Sequence, residues 1–221
     1  MMKFRPTNVE PPQRDYVPAA GRDALLPFYD VFTAAFGAGT VHRTLIDRAR
    51  IAPGNKVLEI GCGTGNLTIR AIRAAPNAEV IGTDPDPRAL AIARRKARGL
   101  TGISFDLAYA QRLPYPDASF DRVLSSLMLH HLDEDARAQA AAEIRRVLRP
   151  GGSAHLVDFT GQAHGVHGFL SSRLNSAHLT DPGQAGIQEL LANAGLECTE
   201  VTSERLRIMG EVTYYLATRP S

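Results

Sequence analysis

The sequence predicts an α/β protein whose mostly parallel sheet is covered by helices on both faces. Between Lys56 and Phe159, short apolar runs alternate with segments of helical periodicity. The apolar runs carry few polar residues, which is typical of parallel strands buried on both sides. The first of these runs also ends in a turn with three glycines, "GCGTG". Together these features indicate a doubly wound sheet with a ligand site at one edge.

Composition favours one soluble domain. The chain has 221 residues, of which 44% are hydrophobic and 22% charged, and its formal net charge is +2. No basic tract, apolar leader or bilayer-length apolar run is present, so we expect a cytoplasmic protein without a nucleic-acid partner or membrane span. We expect a flexible arm over residues 1–21 and a single domain over residues 22–221.

The elements follow one another in a regular order. Residues 22–52 predict two leading helices that could form a lid, "DALLPFYDVFTAAFG" and "TVHRTLIDRARI". Strands and helices then alternate as "KVLEIG", "NLTIRAIRAA", "AEVIGTD", "RALAIARRKARG", "ISFDLA", "FDRVLSSL", "ARAQAAAEIRRVL" and "SAHLVDF". Residues 160–182 are too long for a plain connection and predict an insertion over the pocket. The helix "AGIQELLANA" and the strands "LECTEVTSER" and "EVTYYLATR" complete the pattern.

The glycine turn lies between the first strand and a helix that begins near Asn66. Its glycines, Gly61, Gly63 and Gly65, give a ligand close access to backbone N–H groups at a helix N-terminus. A plain tight turn remains the alternative. The spacing differs from the G-x-G-x-x-G of dinucleotide-binding proteins, because Asn66 stands where the third glycine belongs. This difference argues against a nicotinamide or flavin cofactor.

An acid follows the second strand. Asp84 lies roughly 20 residues beyond the glycines, the distance expected for a carboxylate that binds ribose hydroxyls. The alternative is that Asp84 begins a turn or caps the helix that starts near Pro87. With the glycines, Asp84 predicts a nucleoside ligand.

Several of these stretches together resemble the class I S-adenosylmethionine-dependent methyltransferases, especially the group of the ubiquinone and menaquinone biosynthesis enzymes. The likeness rests on "VLEIGCGTG", "IGTDPDP", "LPYPDASFDRV", "MLHHL" and "RVLRPGG", in this order between Lys56 and Asp158. It implies a Rossmann-like sheet of seven strands with a final antiparallel strand. It also implies S-adenosyl-L-methionine as cofactor, S-adenosyl-L-homocysteine as product, and a small-molecule methyl acceptor.

The resemblance also assigns cofactor-binding residues. It places Glu59, Gly61, Gly63 and Gly65 around the methionine part, Asp84 and Pro85 at the ribose, Ala110 and Gln111 beside adenine, and Ser126 beyond the fourth strand. Tyr109 departs from the family pattern, because it replaces the acid that usually binds the adenine amino group.

Methyl transfer from a sulfonium chiefly requires alignment of the two reactants, which can supply about 7–11 kcal/mol of the barrier. A base is needed only when the acceptor must lose a proton. His130, His131 and Asp158 follow the fourth and fifth strands and are the catalytic candidates, with packing, solvated or capping roles as alternatives.

Other function classes remain open. His164, His167 and His178 lack the spacing of a metal site, so we expect no metal. A non-catalytic cofactor-binding module with a protein partner is one alternative, and a nicotinamide-dependent oxidoreductase is another. The oligomeric state is expected to be a monomer or a homodimer.

Overall fold

A computed structural model describes residues 38–159, 183–206 and 210–221 of the chain. In these residues the helices are α1 (Ala38–Ala49), α2 (Asn66–Ala74), α3 (Pro87–Lys96), α4 (Glu134–Val147) and α5 (Gly183–Asn193). The strands are β1 (Lys56–Ile60), β2 (Glu79–Asp84), β3 (Ile103–Leu107), β4 (Phe120–Ser126), β5 (Leu148–Phe159), β6 (Glu197–Leu206) and β7 (Gly210–Thr218). The predicted arm, the first leading helix and the predicted insertion over residues 160–182 lie outside the described residues.

The strands form one sheet in the order β3-β2-β1-β4-β5-β7-β6. The first five strands run parallel, whereas β7 lies antiparallel between β5 and β6. The expected seven-stranded sheet with a final antiparallel strand is therefore confirmed. Strand order reverses between β1 and β4, and this reversal opens a crevice at the carboxyl ends of the two strands.

Helices cover both faces of the sheet. Successive side chains of a strand point to opposite faces, so each strand contributes to both apolar layers. In β1, Val57 belongs to the apolar cluster formed with α1 and α2, whereas Leu58 belongs to the cluster formed with α4 and α5. Both side chains are fully buried. Among the described helices, none is long and apolar enough to cross a membrane.

Strand β5 begins earlier than the sequence pattern indicates. The predicted strand starts at Ser153, but Leu148 already pairs with Phe120 of β4. The register then shifts before Ser153 pairs with Arg122. The "RPGG" turn is thus an irregularity within a longer strand, and strand periodicity does not reveal such an extension.

Candidate functional site

Backbone hydrogen bonds join the glycine turn after β1 to strand β2. The N–H groups of Gly61 and Cys62 both donate to the carbonyl oxygen of Thr83, at 2.8 and 2.9 Å. Gly61 has φ of 74° and Gly63 has φ of 51°, in the left-handed region that glycine tolerates. A Cβ on Gly61 would lie 2.4 Å from Cγ of Met128, whereas a Cβ on Gly63 would meet nothing within 4 Å. Gly63 therefore borders open space.

The carboxylate of Asp84 is bonded to this turn. One oxygen, Oδ2, accepts the N–H of Gly63 at 2.7 Å, and Oδ1 accepts the N–H of Asp86 at 2.9 Å. Burial raises the pKa of Asp84, and the two N–H groups partly offset that effect. The cap of α3 is Asp86, whose side chain accepts the N–H of Arg88. The alternative that Asp84 caps α3 is thus wrong. Asp84 does contact the backbone of the turn, and it also lines the pocket described next.

A pocket opens at the carboxyl ends of β1, β2 and β4. The predicted site residues among its lining are Glu59, Gly61, Gly63, Asp84, Pro85, Ala110, Gln111, Ser126 and His131. Gly65, His130 and Asp158 are outside this lining. A Cβ on Gly65 would lie 2.9 Å from both Ala93 of α3 and the ring of Phe105, so this glycine permits close packing of helix and strand.

Glu59 is a buried acid in the pocket lining. Its Oε2 accepts a hydrogen bond from the hydroxyl of Thr68. Burial, and to a smaller extent the charge of Asp84, raises the pKa of Glu59 to about 8, against the lowering effect of the Thr68 hydrogen bond. Glu59 therefore holds a proton at neutral pH, and a cation placed beside it would favour ionisation.

Ser126 contributes a hydroxyl that lacks a partner. Its Oγ is buried and makes no hydrogen bond to any described residue. The next residue, Leu127, has φ of 54°, and its N–H donates to the carbonyl oxygen of Val157 at 2.8 Å. An unpaired buried hydroxyl costs about 1–3 kcal/mol, which a polar ligand atom at this place would recover.

The structure brings two of the three catalytic candidates together. Nδ1 of His130 lies 2.6 Å from Oδ1 of Asp158. The third candidate, His131, lines the pocket, and its ring centroid is 4.0 Å from that of His130. Sequence placed all three at the same sheet edge but did not indicate which histidine pairs with the acid.

The lining also holds residues from outside the predicted set, among them His42 and Tyr109. His42 reaches the pocket from α1, and burial, with Arg70 and Lys96 nearby, lowers its pKa to about 4. No sequence signal identified His42, because its position depends on how α1 packs on the sheet. Tyr109, which replaces the family's usual acid, also lines the pocket.

A metal site requires several ligand side chains close together. No group of three or more His, Cys, Asp or Glu side chains in the described part of the chain is arranged to hold a metal ion. His164, His167 and His178 lie outside the described residues.

Comparison with known proteins identifies the family. Residues 57–152 match the family described as a methyltransferase domain. A demethylmenaquinone methyltransferase of Thermus thermophilus is 36% identical over 151 residues, which are 66% of this chain and 67% of that protein. The chain belongs to the class I S-adenosylmethionine-dependent methyltransferases.

One further relative and one solved structure extend the comparison. A demethylmenaquinone methyltransferase of Deinococcus radiodurans is 34% identical over 151 residues, 66% of this chain and 62% of that protein. The chain thus spans about two thirds of the length of these relatives. The crystal structure of the [4+2]-cyclase SpnF has a TM-score of 0.70 at 21% identity, covering 82% of this chain and 81% of that one. At 21% identity, the likeness to SpnF shows the fold alone. This methyltransferase chain therefore shares its fold with a cyclase.

Proposed function

We propose that this protein transfers the methyl group of S-adenosylmethionine to a small-molecule acceptor. The observation that carries the proposal is the pocket at the sheet reversal, where the carboxylate of Asp84 meets the glycine turn. Family membership supports S-adenosylmethionine as the cofactor, and the relatives' name, demethylmenaquinone methyltransferase, supports a small organic acceptor.

The chemistry of the lining fits the proposed cofactor. Asp84 would accept the ribose hydroxyls, since each carboxylate oxygen has a lone pair beyond its present N–H bond. Glu59 would face the ammonium of the methionine part, and Ser126 would gain a partner for its buried hydroxyl. The open space beside Gly63 leaves room for a ligand against the backbone.

The adenine end is proposed to lie against Ala110 and Gln111, both in the lining. Tyr109 cannot accept a hydrogen bond as a carboxylate does, so its ring would offer a stacking surface instead. The bound cofactor supplies a methyl group on a sulfonium, an electrophile that is already activated. The protein's main task is then to orient the reactants and exclude water.

The first test is calorimetric titration with S-adenosylhomocysteine. We expect Asp84→Asn to weaken binding by about tenfold or more, because the variant loses charge-assisted hydrogen bonds worth about 1.5–3 kcal/mol. Asp86→Asn is the matched control, since asparagine caps a helix as well as aspartate does. Equal affinities for wild type and Asp84→Asn would contradict the proposed site.

Two outcomes would favour the alternatives. Tight binding of S-adenosylhomocysteine without methylation of any small acceptor would favour a binding module or a reaction other than methyl transfer, as the fold likeness to a cyclase allows. Binding of a reduced nicotinamide cofactor in place of S-adenosylhomocysteine would favour an oxidoreductase.

A further inference from the structure

A buried carboxylate holds the imidazole of His130 in one orientation. Asp158, near the end of β5, has a side chain only 2% exposed. Its Oδ1 lies 2.6 Å from Nδ1 of His130 and accepts the N–H of Phe159 at 2.8 Å. Its Oδ2 accepts the backbone N–H of His130 at 3.3 Å. The acid is therefore fixed by three contacts, two of them with the same histidine.

This contact determines which nitrogen of His130 can accept a proton. A carboxylate only accepts hydrogen bonds, so Nδ1 of the neutral ring carries the hydrogen and Nε2 keeps its lone pair. Rings on two sides hold the imidazole further: that of Phe159 at a centroid distance of 5.1 Å and that of His131 at 4.0 Å. The side chain of His130 is 17% exposed, so the ring reaches solvent while its partner acid does not.

The pair lies beside the proposed methyl-transfer pocket. His131, against which His130 packs, lines that pocket together with Met128 and Leu132. Strands β4 and β5 are neighbours, so the residues that follow them meet at the edge where β1 and β2 also end. A proton acceptor and the acid that orients it thus lie directly behind His131, which lines the pocket.

We propose that His130, oriented by Asp158, is the general base of the reaction and that the acceptor is a hydroxyl compound: an alcohol, phenol or hydroquinol. This inference rests on the proposed function and specifies its substrate class. A thioether or tertiary amine needs no base, whereas a neutral hydroxyl becomes a good nucleophile only as it loses its proton.

The step balances without another reagent. The hydroxyl proton passes to Nε2 of His130 as the acceptor oxygen bonds to the methyl carbon. The carbon–sulfur bond breaks, and its electron pair stays on sulfur, which becomes a neutral thioether. The resulting imidazolium is stabilised by the carboxylate of Asp158 and returns its proton to solvent.

The first experiment reads the tautomer and requires no acceptor. Nitrogen-15 NMR of histidine-labelled protein, assigned with His130→Gln, is expected to show hydrogen on Nδ1 of neutral His130. Asp158→Asn is expected to shift the population towards the Nε2–H form. A wild-type ring with hydrogen on Nε2 would overturn the proposal, because that ring could not accept the proton there.

The second experiment measures methyl transfer from isotopically labelled S-adenosylmethionine to a panel of phenols, hydroquinols, secondary alcohols, a thioether and a tertiary amine. We expect methylation on the oxygen of hydroxyl compounds, located by NMR of the product, with kcat lowered about 10²–10⁴-fold in His130→Gln and Asp158→Asn; methylation of the hydroquinols on ring carbon alone would overturn the assignment. S-Adenosylhomocysteine affinity should stay within about twofold in both variants, since neither residue lines the cofactor pocket. The remote Asp117→Asn, whose side chain is 77% exposed, is the matched control.

Three other results would also overturn the assignment. One is methylation confined to the thioether and amine, and another is no methylation of any panel member by protein that binds the cofactor. The third is a greater loss of kcat in His131→Gln than in His130→Gln, which would transfer the base role to the pocket-lining ring. Absence of cofactor binding would instead contradict the proposed function itself.

Discussion

Among the described side chains, Glu59 has a marked effect on how stability depends on pH. It is a buried acid on β1, and its carboxyl group accepts hydrogen bonds from Thr68 and lies near the charge of Asp84. Neither is a cation. The folded protein therefore favours the protonated form, which is the reverse of an acid held in an ion pair.

We expect the free energy of unfolding to fall as pH rises from about 6.5 to 8, because below this window His42 and His155, whose pKa values burial lowers from 6.5 to about 4, contribute the opposite slope. Glu59 keeps its proton up to a pKa of about 8 when folded, against an ordinary value of 4.5. At Glu59 the folded state binds more protons between these two values, so the contribution of this residue is fully present below the lower value and is lost towards the higher one. Its slope approaches about 1.4 kcal/mol per pH unit. Urea denaturation at several pH values measures it.

Glu59→Gln should flatten that slope, because the amide does not titrate. The exposed Glu79, whose side chain is 57% exposed, provides the control variant Glu79→Gln, which should keep the wild-type slope. An unchanged slope in Glu59→Gln would contradict the assignment of the titration to this residue.

At the level of elements, the turn after β1 packs on the segment after β4. Gly61→Ala should destabilise the protein and weaken cofactor binding, because the new Cβ meets Met128 and φ is 74°. Gly63→Ala should lower stability only by the strain of left-handed backbone, about 1–2 kcal/mol, since no atom lies within 4 Å. Its Cβ would enter the space proposed for the cofactor, so this variant should also bind S-adenosylhomocysteine more weakly. Denaturation and S-adenosylhomocysteine titration of both variants test the difference.

A double variant separates crowding from backbone strain. In Gly61→Ala, the Cβ would lie 2.4 Å from Cγ and 2.9 Å from Cβ of Met128. Adding Met128→Ala removes the nearer contact, so stability should recover in part. No recovery would show that the conformation of Gly61, and not its neighbour, requires glycine.

The sequence predicts the sheet better than it predicts contacts between loops. Apolar strands and the glycine turn place Gly63 and Asp84 at adjoining strand ends, and their hydrogen bond follows from that topology. Which of His130 and His131 contacts Asp158 depends on the short 3-10 helix Leu129–His131 that follows β4. This helix has only three residues, so hydrophobic periodicity does not determine which way its side chains point. The position of His42 in the pocket depends on how helix α1 packs against the sheet, which the spacing of residues in the sequence does not indicate.

At the scale of the whole domain, Arg219 links the end of β7 to the end of α4 and the start of β5. These segments lie at the edge of the sheet opposite the pocket. Its Nη1 donates to the carbonyl oxygens of Arg145, Arg146 and Leu148, at 3.2, 3.2 and 2.6 Å. We expect Arg219→Ala to lower the free energy of unfolding by about 1.5–3 kcal/mol, since a charged donor satisfies helix-terminal carbonyls. Urea denaturation measures this loss.

Arg149→Ala is the control for that variant. Arg149 pairs with Asp121 at 2.6 Å but is 48% exposed, so the change should cost no more than about 1 kcal/mol. Equal losses in the two variants would contradict the structural role of Arg219.

The position of β7 determines when the sheet can be completed during synthesis. Ser153 of β5 pairs with Thr218, and every residue of β6 that joins the sheet does so through β7. Until β7 leaves the ribosome, the outer edge of β5 has no neighbouring strand and can pair with other chains. The nascent protein therefore leaves this edge of β5 without its native partner until β7 is made.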